Sequence, residues 1–155
     1  MGKMEYVDDL VAWEEGFEFY YPVKVRFSET DLFGHLNNTV PFIYFEQARI
    51  EFFKSKGFFH NWLSKDSDTI PIVADLQCDF LKQVYFDEDL RVYVKVNEIG
   101  NSSADLHYMV EKENDEICLA GRGAIVQLSK KTGKGVPWPE DIRDLFIESP
   151  AQLFK

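Results

Sequence analysis

The spacing of hydrophobic side chains divides the chain into a strand, a loop, a long helix and a second group of strands. Residues 19–27 alternate between apolar and charged positions, a period of two that predicts a half-buried strand. Residues 39–56 change to the i, i+3/i+4 spacing of a helix, with Pro41 suited to its first turn and Gly57 to its end. Because this helix is apolar over much of its circumference, we expect it to be buried on several sides. The apolar residues that share faces are Ile43, Tyr44, Phe45, Ala48 and Phe52, whereas the polar residues Gln47, Arg49, Glu51 and Lys54 fall largely on other faces.

Four further strand-like segments follow the helix, at about residues 71–84, 90–99, 104–112 and 117–128. Turn-type residues separate them, and the short connections between the last three predict antiparallel neighbours. A short terminal helix is expected at about residues 140–146. A sheet curled around the helix is the simplest way to bury it. The pattern therefore predicts an α+β fold, with residues 1–18 as an N-terminal extension, residues 19–155 as a single domain, and sheet edges that favour dimerisation.

The composition excludes some classes of function. A hydrophobic fraction of 45% indicates a folded core, and a net charge of −10 argues against a nucleic-acid partner. The acidic N-terminus does not resemble a secretory signal, and no apolar run is long enough to suggest a membrane span, so we expect a cytoplasmic protein. Cys78 and Cys118 stand alone in apolar segments, which indicates core positions and no metal site.

The residues that could carry chemistry lie in the loop between the first strand and the helix, which reads SETDLFGHLNN over residues 28–38. Asp31 is flanked by Leu32 and Phe33, and a poorly solvated carboxylate is a stronger base. The helix start near Asn38 and Thr39 offers unpaired backbone N–H groups that can stabilise an oxyanion. These groups are the minimum apparatus for acyl transfer. The same spacing is also typical of Asx turns and helix caps, so the spacing alone leaves both interpretations open.

The segment VRFSETDLFGHLNN over residues 25–38, continued by YFEQARIEFF over residues 44–53, resembles the 4-hydroxybenzoyl-CoA thioesterase-like branch of the hotdog-fold superfamily. The recurrent string of that family is R-(Y/F)-x-(E/D)-(T/L)-D-x-x-G-H-(V/I/L)-N-N, followed by a helix with Y-(F/L)-x-x-A-R. The similarity extends to the closing VPWP at residues 136–139 and covers about residues 19–146. It implies a hotdog fold, which is a five-stranded antiparallel sheet wrapped around one long central helix. It also implies homodimers with active sites between subunits, often assembled into homotetramers.

The resemblance further implies hydrolysis of an acyl-CoA or acyl carrier protein thioester without a metal or organic cofactor. Asp31 matches the catalytic carboxylate, which acts either as a general base or as a nucleophile. The backbone N–H of Asn38 or Thr39 would polarise the thioester carbonyl. Pro41 has no N–H, so the donor has to precede it. The alternative function is a non-catalytic acyl-CoA sensor, against which the presence of Asp31 argues.

Other residues have less specific expectations. Gly34, His35 and Asn37 are expected to shape the loop around Asp31. Glu46 is either an i, i+3 partner of Arg49 or, as in related hotdog branches, a catalytic carboxylate. The candidates for binding CoA phosphates are Lys82, Arg91 and Arg122, together with the basic loop at residues 130–134, although the same residues could be solvated strand ends. Acyl length, carrier and the choice between dimer and tetramer stay open.

Overall fold

The computed structural model describes residues 4–57 and 59–147. Its helices are α1 (Leu10–Glu15), α2 (Val40–Ser55), α3 (Phe59–Leu63) and α4 (Glu140–Ile147), with a short 3-10 turn at Phe27–Glu29. Its strands are β1 (Phe19–Lys24), β2 (Thr69–Val73), β3 (Gln77–Phe80), β4 (Asp89–Ile99), β5 (Ser103–Lys112) and β6 (Ile117–Ser129). The last eight residues of the predicted domain and the first three of the predicted extension lie outside the described residues.

All strands belong to one antiparallel sheet in the order β1-β4-β5-β6, and β6 pairs on its far side with both β2 and β3. β2 pairs with residues 125–129 of β6, and β3 with residues 119–122. The two short strands therefore share one edge position, and the sheet has the five positions of the predicted hotdog fold. The antiparallel sheet and its helix confirm the predicted α+β class.

The edge strand is broken where the sequence pattern predicts one strand from 71 to 84. Residues 74–76 belong to neither short strand. The Ala74 N–H still donates to the Ala124 carbonyl (2.8 Å), but the Asp75 side chain accepts hydrogen bonds from the Ala124 N–H (2.7 Å) and from Arg122 Nη1 (3.1 Å), which interrupts the ladder. Gly123 permits this close approach, since a Cβ atom there would lie 2.6 Å from the Asp75 carbonyl oxygen. The prediction of one continuous strand was wrong because the break depends on contacts with a distant strand.

Helix α2 packs on the sheet, and its apolar side chains form the centre of the core. Phe45 and Ala48 are fully buried, and the Phe45 ring stacks on Tyr108 of β5 at 4.5 Å. The helix approaches the sheet closely at Gly121 of β6, where a Cβ atom would lie 2.6 Å from the Phe45 ring. Burial of each such aromatic ring stabilises the fold by roughly 1.5–3 kcal/mol. The predicted buried helix is confirmed.

Three side chains of the first strand and helix depart from the predicted pattern. Phe27 is 76% exposed, because β1 ends at Lys24 and Phe27 opens the 3-10 turn. Ile43 is 58% exposed, on the side of α2 that faces away from the sheet. Arg49 is buried and donates to the Tyr108 hydroxyl (3.1 Å), so the expected Glu46–Arg49 pair does not form.

Residues 4–17 cover the face of the sheet opposite to α2. Asp9 caps α1 by accepting from the Ala12 N–H, and apolar side chains of the segment form a second core with Met109 and Ala120: Met4, Val7, Trp13 and Phe17. Trp13 Nε1 donates to His107 Nδ1 (2.8 Å), and His107 Nε2 lies 3.0 Å from Asp105 Oδ2. A buried polar chain therefore ties the extension to β5.

Both cysteines have free thiols. Cys118 is fully buried, as predicted, whereas Cys78 is half-buried at the margin of the core. Burial raises the pKa of each thiol to about 12.

Candidate active site

The loop before α2 folds back on itself as a short two-armed finger, formed by residues 28–38. The Asp31 N–H donates to the His35 carbonyl (2.7 Å), and the Asn37 N–H donates to the Glu29 carbonyl (2.8 Å). Between these bonds, Thr30 and Leu36 form an isolated antiparallel β-bridge. Gly34 stands at the tip with φ +82°, a conformation that favours glycine. The Leu36 N–H donates to the Val84 carbonyl (2.7 Å), which anchors the finger to the rest of the fold. The backbone of Asp31 is therefore held rigidly.

The two carboxylate oxygens of Asp31 have different environments. Oδ1 accepts from the backbone N–H groups of Phe33 (2.8 Å) and His35 (3.0 Å), the Asx-turn arrangement. Oδ2 has no hydrogen-bond partner in the described part of the chain, and the side chain is half-exposed. One oxygen thus fixes the orientation of the carboxylate, while the other can accept a proton or attack an electrophile.

The apolar neighbours of Asp31 do not desolvate it within a single chain. Leu32 is 93% exposed and Phe33 is 77% exposed. The expectation that these side chains reduce the solvation of the carboxylate is therefore not met by the residues of one chain. The finger instead presents an apolar surface to its surroundings.

Only one of the two expected carbonyl-polarising donors is free. The Thr39 N–H donates to Asn37 Oδ1 (3.0 Å), as does the Thr39 hydroxyl (2.9 Å). The Asn38 N–H, by contrast, has no acceptor among residues 4–57 and 59–147, and Asn38 is exposed. It lies two residues before the start of α2, where the helix dipole favours negative charge. The Asn37 side chain thus occupies the Thr39 N–H and leaves the Asn38 N–H available.

The remaining predicted site residues are distributed unevenly. The His35 ring packs edge-on against Tyr85 at 5.3 Å, which supports the finger. Glu46 is exposed on α2 and makes no hydrogen bond or ion pair within the described residues. Lys82 lines a cavity of about 190 Å³ beside the finger, together with Leu36, Phe80, Leu81, Gln83, Val84 and Leu119.

The two candidate arginines are already paired with carboxylates. Arg91 contacts Glu111 (2.8 Å) and Asp115 (2.6 Å). Arg122 contacts Asp105 (2.7 Å) and Asp75 (3.1 Å), and thus joins the polar chain under the extension. A phosphate would have to displace these carboxylates from either guanidinium. Of the three candidates Lys82, Arg91 and Arg122, Lys82 is the one that lines a cavity shared with the finger residue Leu36.

Sequence reasoning missed the partnership between Glu29 and Tyr44. Glu29 Oε1 accepts from the Arg26 N–H and from the Tyr44 hydroxyl, both at 2.8 Å. Burial, and then the hydrogen bond to Glu29, raises the pKa of Tyr44, so its hydroxyl stays a donor. The local Arg26–Glu29 contact has the i, i+3 spacing of a capping pattern and could have been found, whereas the contact with Tyr44 spans 15 residues and could not.

Two general features bear on the class of site. Within the described residues, no three His, Cys, Asp or Glu side chains lie together so that they could hold a metal ion. The helices described here are all too short or too polar to cross a membrane.

Comparison with known proteins identifies the family. The sequence model of the thioesterase-like superfamily matches residues 25–146, and the chain belongs to this superfamily. The matched residues include the finger and every strand except β1.

The chain is also similar to individual proteins, and the two solved structures given below are named as thioesterases. The chain is 44% identical over 137 residues to the uncharacterized protein YsmA of Bacillus subtilis (strain 168), which covers 88% of this chain and 90% of YsmA. Among solved structures, it is similar to a predicted thioesterase from Bacillus stearothermophilus (33% identity, TM-score 0.74, 86% of this chain and 97% of that chain). It is also similar to a thioesterase from Thermus thermophilus complexed with coenzyme A and Zn (32% identity, TM-score 0.71, 85% of this chain and 94% of that chain).

Proposed function

We propose that this protein hydrolyses acyl-CoA or acyl carrier protein thioesters, with Asp31 as the catalytic carboxylate. Membership of the thioesterase-like superfamily supports thioester hydrolysis in general. The observation that carries the finer proposal is the asymmetry of Asp31, because two backbone N–H groups hold one oxygen and leave the other free. A free Asn38 N–H on the same finger supplies the second group that acyl transfer needs.

The proposed chemistry uses these two groups in sequence. The thioester carbonyl oxygen accepts a hydrogen bond from the Asn38 N–H, which stabilises negative charge as the carbonyl carbon becomes tetrahedral. Asp31 Oδ2 then takes a proton from an attacking water, or attacks the carbonyl carbon itself to form an anhydride that water cleaves. Either route breaks the C–S bond and releases the thiolate and the acid. A thiolate leaves readily, so neither route requires a strong general acid.

We assign to Lys82 the binding of a phosphate group of the carrier. Its side chain lines the cavity beside the finger, and its ammonium group can bind a phosphate as a point charge. The similarity to a thioesterase complexed with coenzyme A supports a CoA carrier. Arg91 and Arg122 are less suitable, since carboxylates already neutralise them.

We propose that the active unit contains at least two copies of the chain. The outer edge of β2 and β3 has no strand partner among the described residues, and Ile72, Val73 and Phe80 on this edge are about half exposed. A second copy pairing there would cover apolar surface and satisfy backbone groups. The exposed side chains of Leu32 and Phe33 on the finger would likewise be buried by contact with a second copy.

The test is thiol release from a panel of short, long and aromatic acyl-CoAs by wild type and Asp31→Asn. Asparagine keeps an oxygen for the Phe33 and His35 N–H groups but is neither a base nor a nucleophile. We expect kcat to fall by roughly 10²–10⁴-fold with the fold intact. Asp66→Asn, at an exposed aspartate, is the matched control and should keep wild-type activity.

Two outcomes would contradict the proposal. If Asp31→Asn hydrolyses thioesters at the wild-type rate, Asp31 is not the catalytic carboxylate. If the wild type binds acyl-CoA but hydrolyses no thioester in the panel, the protein is an acyl-CoA-binding module.

A further inference from the structure

One side-chain hydrogen bond joins the finger to helix α2. Within the described residues, the bond from the Tyr44 hydroxyl to Glu29 Oε1 (2.8 Å) is the sole side-chain hydrogen bond between residues 28–38 and α2. Both groups are sheltered from water, with the Glu29 side chain 12% exposed and Tyr44 4% exposed. A hydrogen bond to a carboxylate in such a place is stronger than one at the surface.

Glu29 connects three parts of the site through two of its oxygen atoms. Its carbonyl oxygen accepts from the Asn37 N–H, which pairs the two arms of the finger. Its Oε1 accepts from the Arg26 N–H before the finger and from Tyr44 on the helix. Asp31 follows Glu29 by two residues and Asn38 follows Asn37 directly, so these bonds fix the catalytic oxygen and the free N–H relative to each other.

The geometry assigns Glu29 no proton transfer of its own. Oε1 already accepts two hydrogen bonds, and Oε2 lies 3.7 Å from Arg26 Nη2. Tyr44 is equally committed, because its hydroxyl donates to Glu29 and its ring is buried against the sheet. Both side chains are therefore engaged with neighbouring residues, Glu29 Oε2 by an ion pair with Arg26 and the Tyr44 hydroxyl by its bond to Glu29.

We propose that Glu29 and Tyr44 are positioning residues for the reaction assigned to Asp31, and this inference rests on the proposed function. The Tyr44–Glu29 hydrogen bond holds the finger on α2, so that a carbonyl bound at the Asn38 N–H meets Asp31 Oδ2 in a reactive orientation. Loss of the bond leaves both catalytic groups present but displaces one relative to the other. Displacements of about 1 Å can reduce rates by roughly 10²-fold.

Three substitutions separate positioning from other roles. Tyr44→Phe removes the donor, and Glu29→Ala removes the acceptor. Glu29→Gln removes the charge but keeps an oxygen that can accept from both Arg26 and Tyr44. We expect kcat to fall by roughly 10–100-fold in the first two variants, with KM within about threefold of wild type, and to return to near wild type in Glu29→Gln.

Tyr20→Phe is the matched control, because the Tyr20 hydroxyl makes no hydrogen bond within the described residues. Thermal melts of all variants establish that they are folded. Wild-type kcat in Tyr44→Phe and Glu29→Ala would overturn the inference. So would a Glu29→Gln variant as slow as Glu29→Ala, since the charge itself would then be required.

Hydrogen exchange gives a readout that does not depend on activity. The inference predicts faster amide exchange over residues 28–38 in Tyr44→Phe, with wild-type exchange in Glu29→Gln and Tyr20→Phe. Unchanged exchange in Tyr44→Phe overturns the positioning role, even in a protein that hydrolyses no thioester. A different outcome is that Tyr44→Phe exchanges faster while wild type and Asp31→Asn hydrolyse thioesters at equal rates. That result would support the structural link between the finger and α2 and reject the proposed function of Asp31.

Discussion

Replacing His107 by glutamine should remove a defined part of the pH dependence of folding. The ring is 1% exposed, and both of its nitrogens are engaged, by Trp13 on one side and Asp105 on the other. Because the tryptophan N–H can only donate, Nδ1 is the acceptor and Nε2 carries the proton. Protonation would place a second hydrogen on Nδ1, facing the Trp13 N–H at 2.8 Å between the nitrogens.

The electrostatic surroundings of His107 act in both directions. Burial lowers the pKa of His107, and the nearby positive charges of Lys95 and Arg122 lower it further. Asp105 raises it, but not enough to offset burial. The Tyr6 ring packs edge-on against the imidazole at 5.3 Å and adds to its shielding from water. The folded protein therefore holds a neutral histidine that the unfolded chain protonates more easily.

The sign and the size of the effect follow from linkage. An unfolded histidine titrates near pH 6.5, so below that pH the unfolded state binds a proton that the folded state does not, and stability falls as the pH falls. The loss stops below the folded pKa, where both states are protonated. Between pH 7.5 and 5.5, one such group can remove at most about 1.4 kcal/mol from the free energy of unfolding.

Urea unfolding at several pH values measures this loss. Glutamine at position 107 keeps an acceptor for Trp13 and a donor for Asp105 but does not titrate. Between pH 7.5 and 5.5, the free energy of unfolding of His107→Gln should therefore fall less than that of wild type, and the difference should be up to about 1.4 kcal/mol. His60→Gln, at an exposed histidine, should retain the wild-type pH dependence. Parallel stability curves for wild type and His107→Gln would refute the assignment of a neutral, proton-resistant His107.

Packing and charge also determine how Gly121, the two cysteines and Lys82 should respond to substitution or to a thiol reagent. Gly121→Ala should lower the free energy of unfolding by roughly 1–3 kcal/mol in urea titrations, because its Cβ would lie 2.5 Å from the Gln77 carbonyl oxygen. Neither cysteine should react quickly with a thiol reagent at pH 8 in the folded protein, since burial raises each thiol pKa to about 12, whereas both should react after unfolding. Lys82→Ala should raise KM for acyl-CoA by roughly 3–10-fold at unchanged kcat, with Lys65→Ala as an exposed-lysine control, and an unchanged KM would remove Lys82 from the carrier site.

Regular elements could be predicted from the sequence where local pattern and burial agree. Helix α2 begins and ends within one residue of the predicted 39–56, because its capping residues and its apolar spacing point to the same boundaries. Strands β4, β5 and β6 likewise agree within one residue, since turn-type residues mark their ends. Edge strand β2–β3 does not agree, because Asp75 interrupts it through bonds to residues of β6 that no local pattern reveals.

For the candidate site, the sequence indicates which loop to consider but not the partners of its side chains. The spacing from Asp31 to Asn38 identifies the loop, but the bond that occupies the Thr39 N–H depends on the rotamer of Asn37. Arg49 was expected outside the buried face, yet its guanidinium reaches Tyr108 across the core. The Arg49–Tyr108 contact joins residues 59 positions apart, so periodicity carries no signal for it.

The N-terminal segment has a practical consequence for handling the protein. Residues 4–17 cover Met109 and Ala120, which are 2% and 0% exposed. A shortened chain that starts at β1 would expose this strip of sheet to water, and exposed apolar strips on sheets promote aggregation. Low yield or precipitation of such a truncated chain would then reflect the lost cover of the sheet, and would carry no information about catalysis.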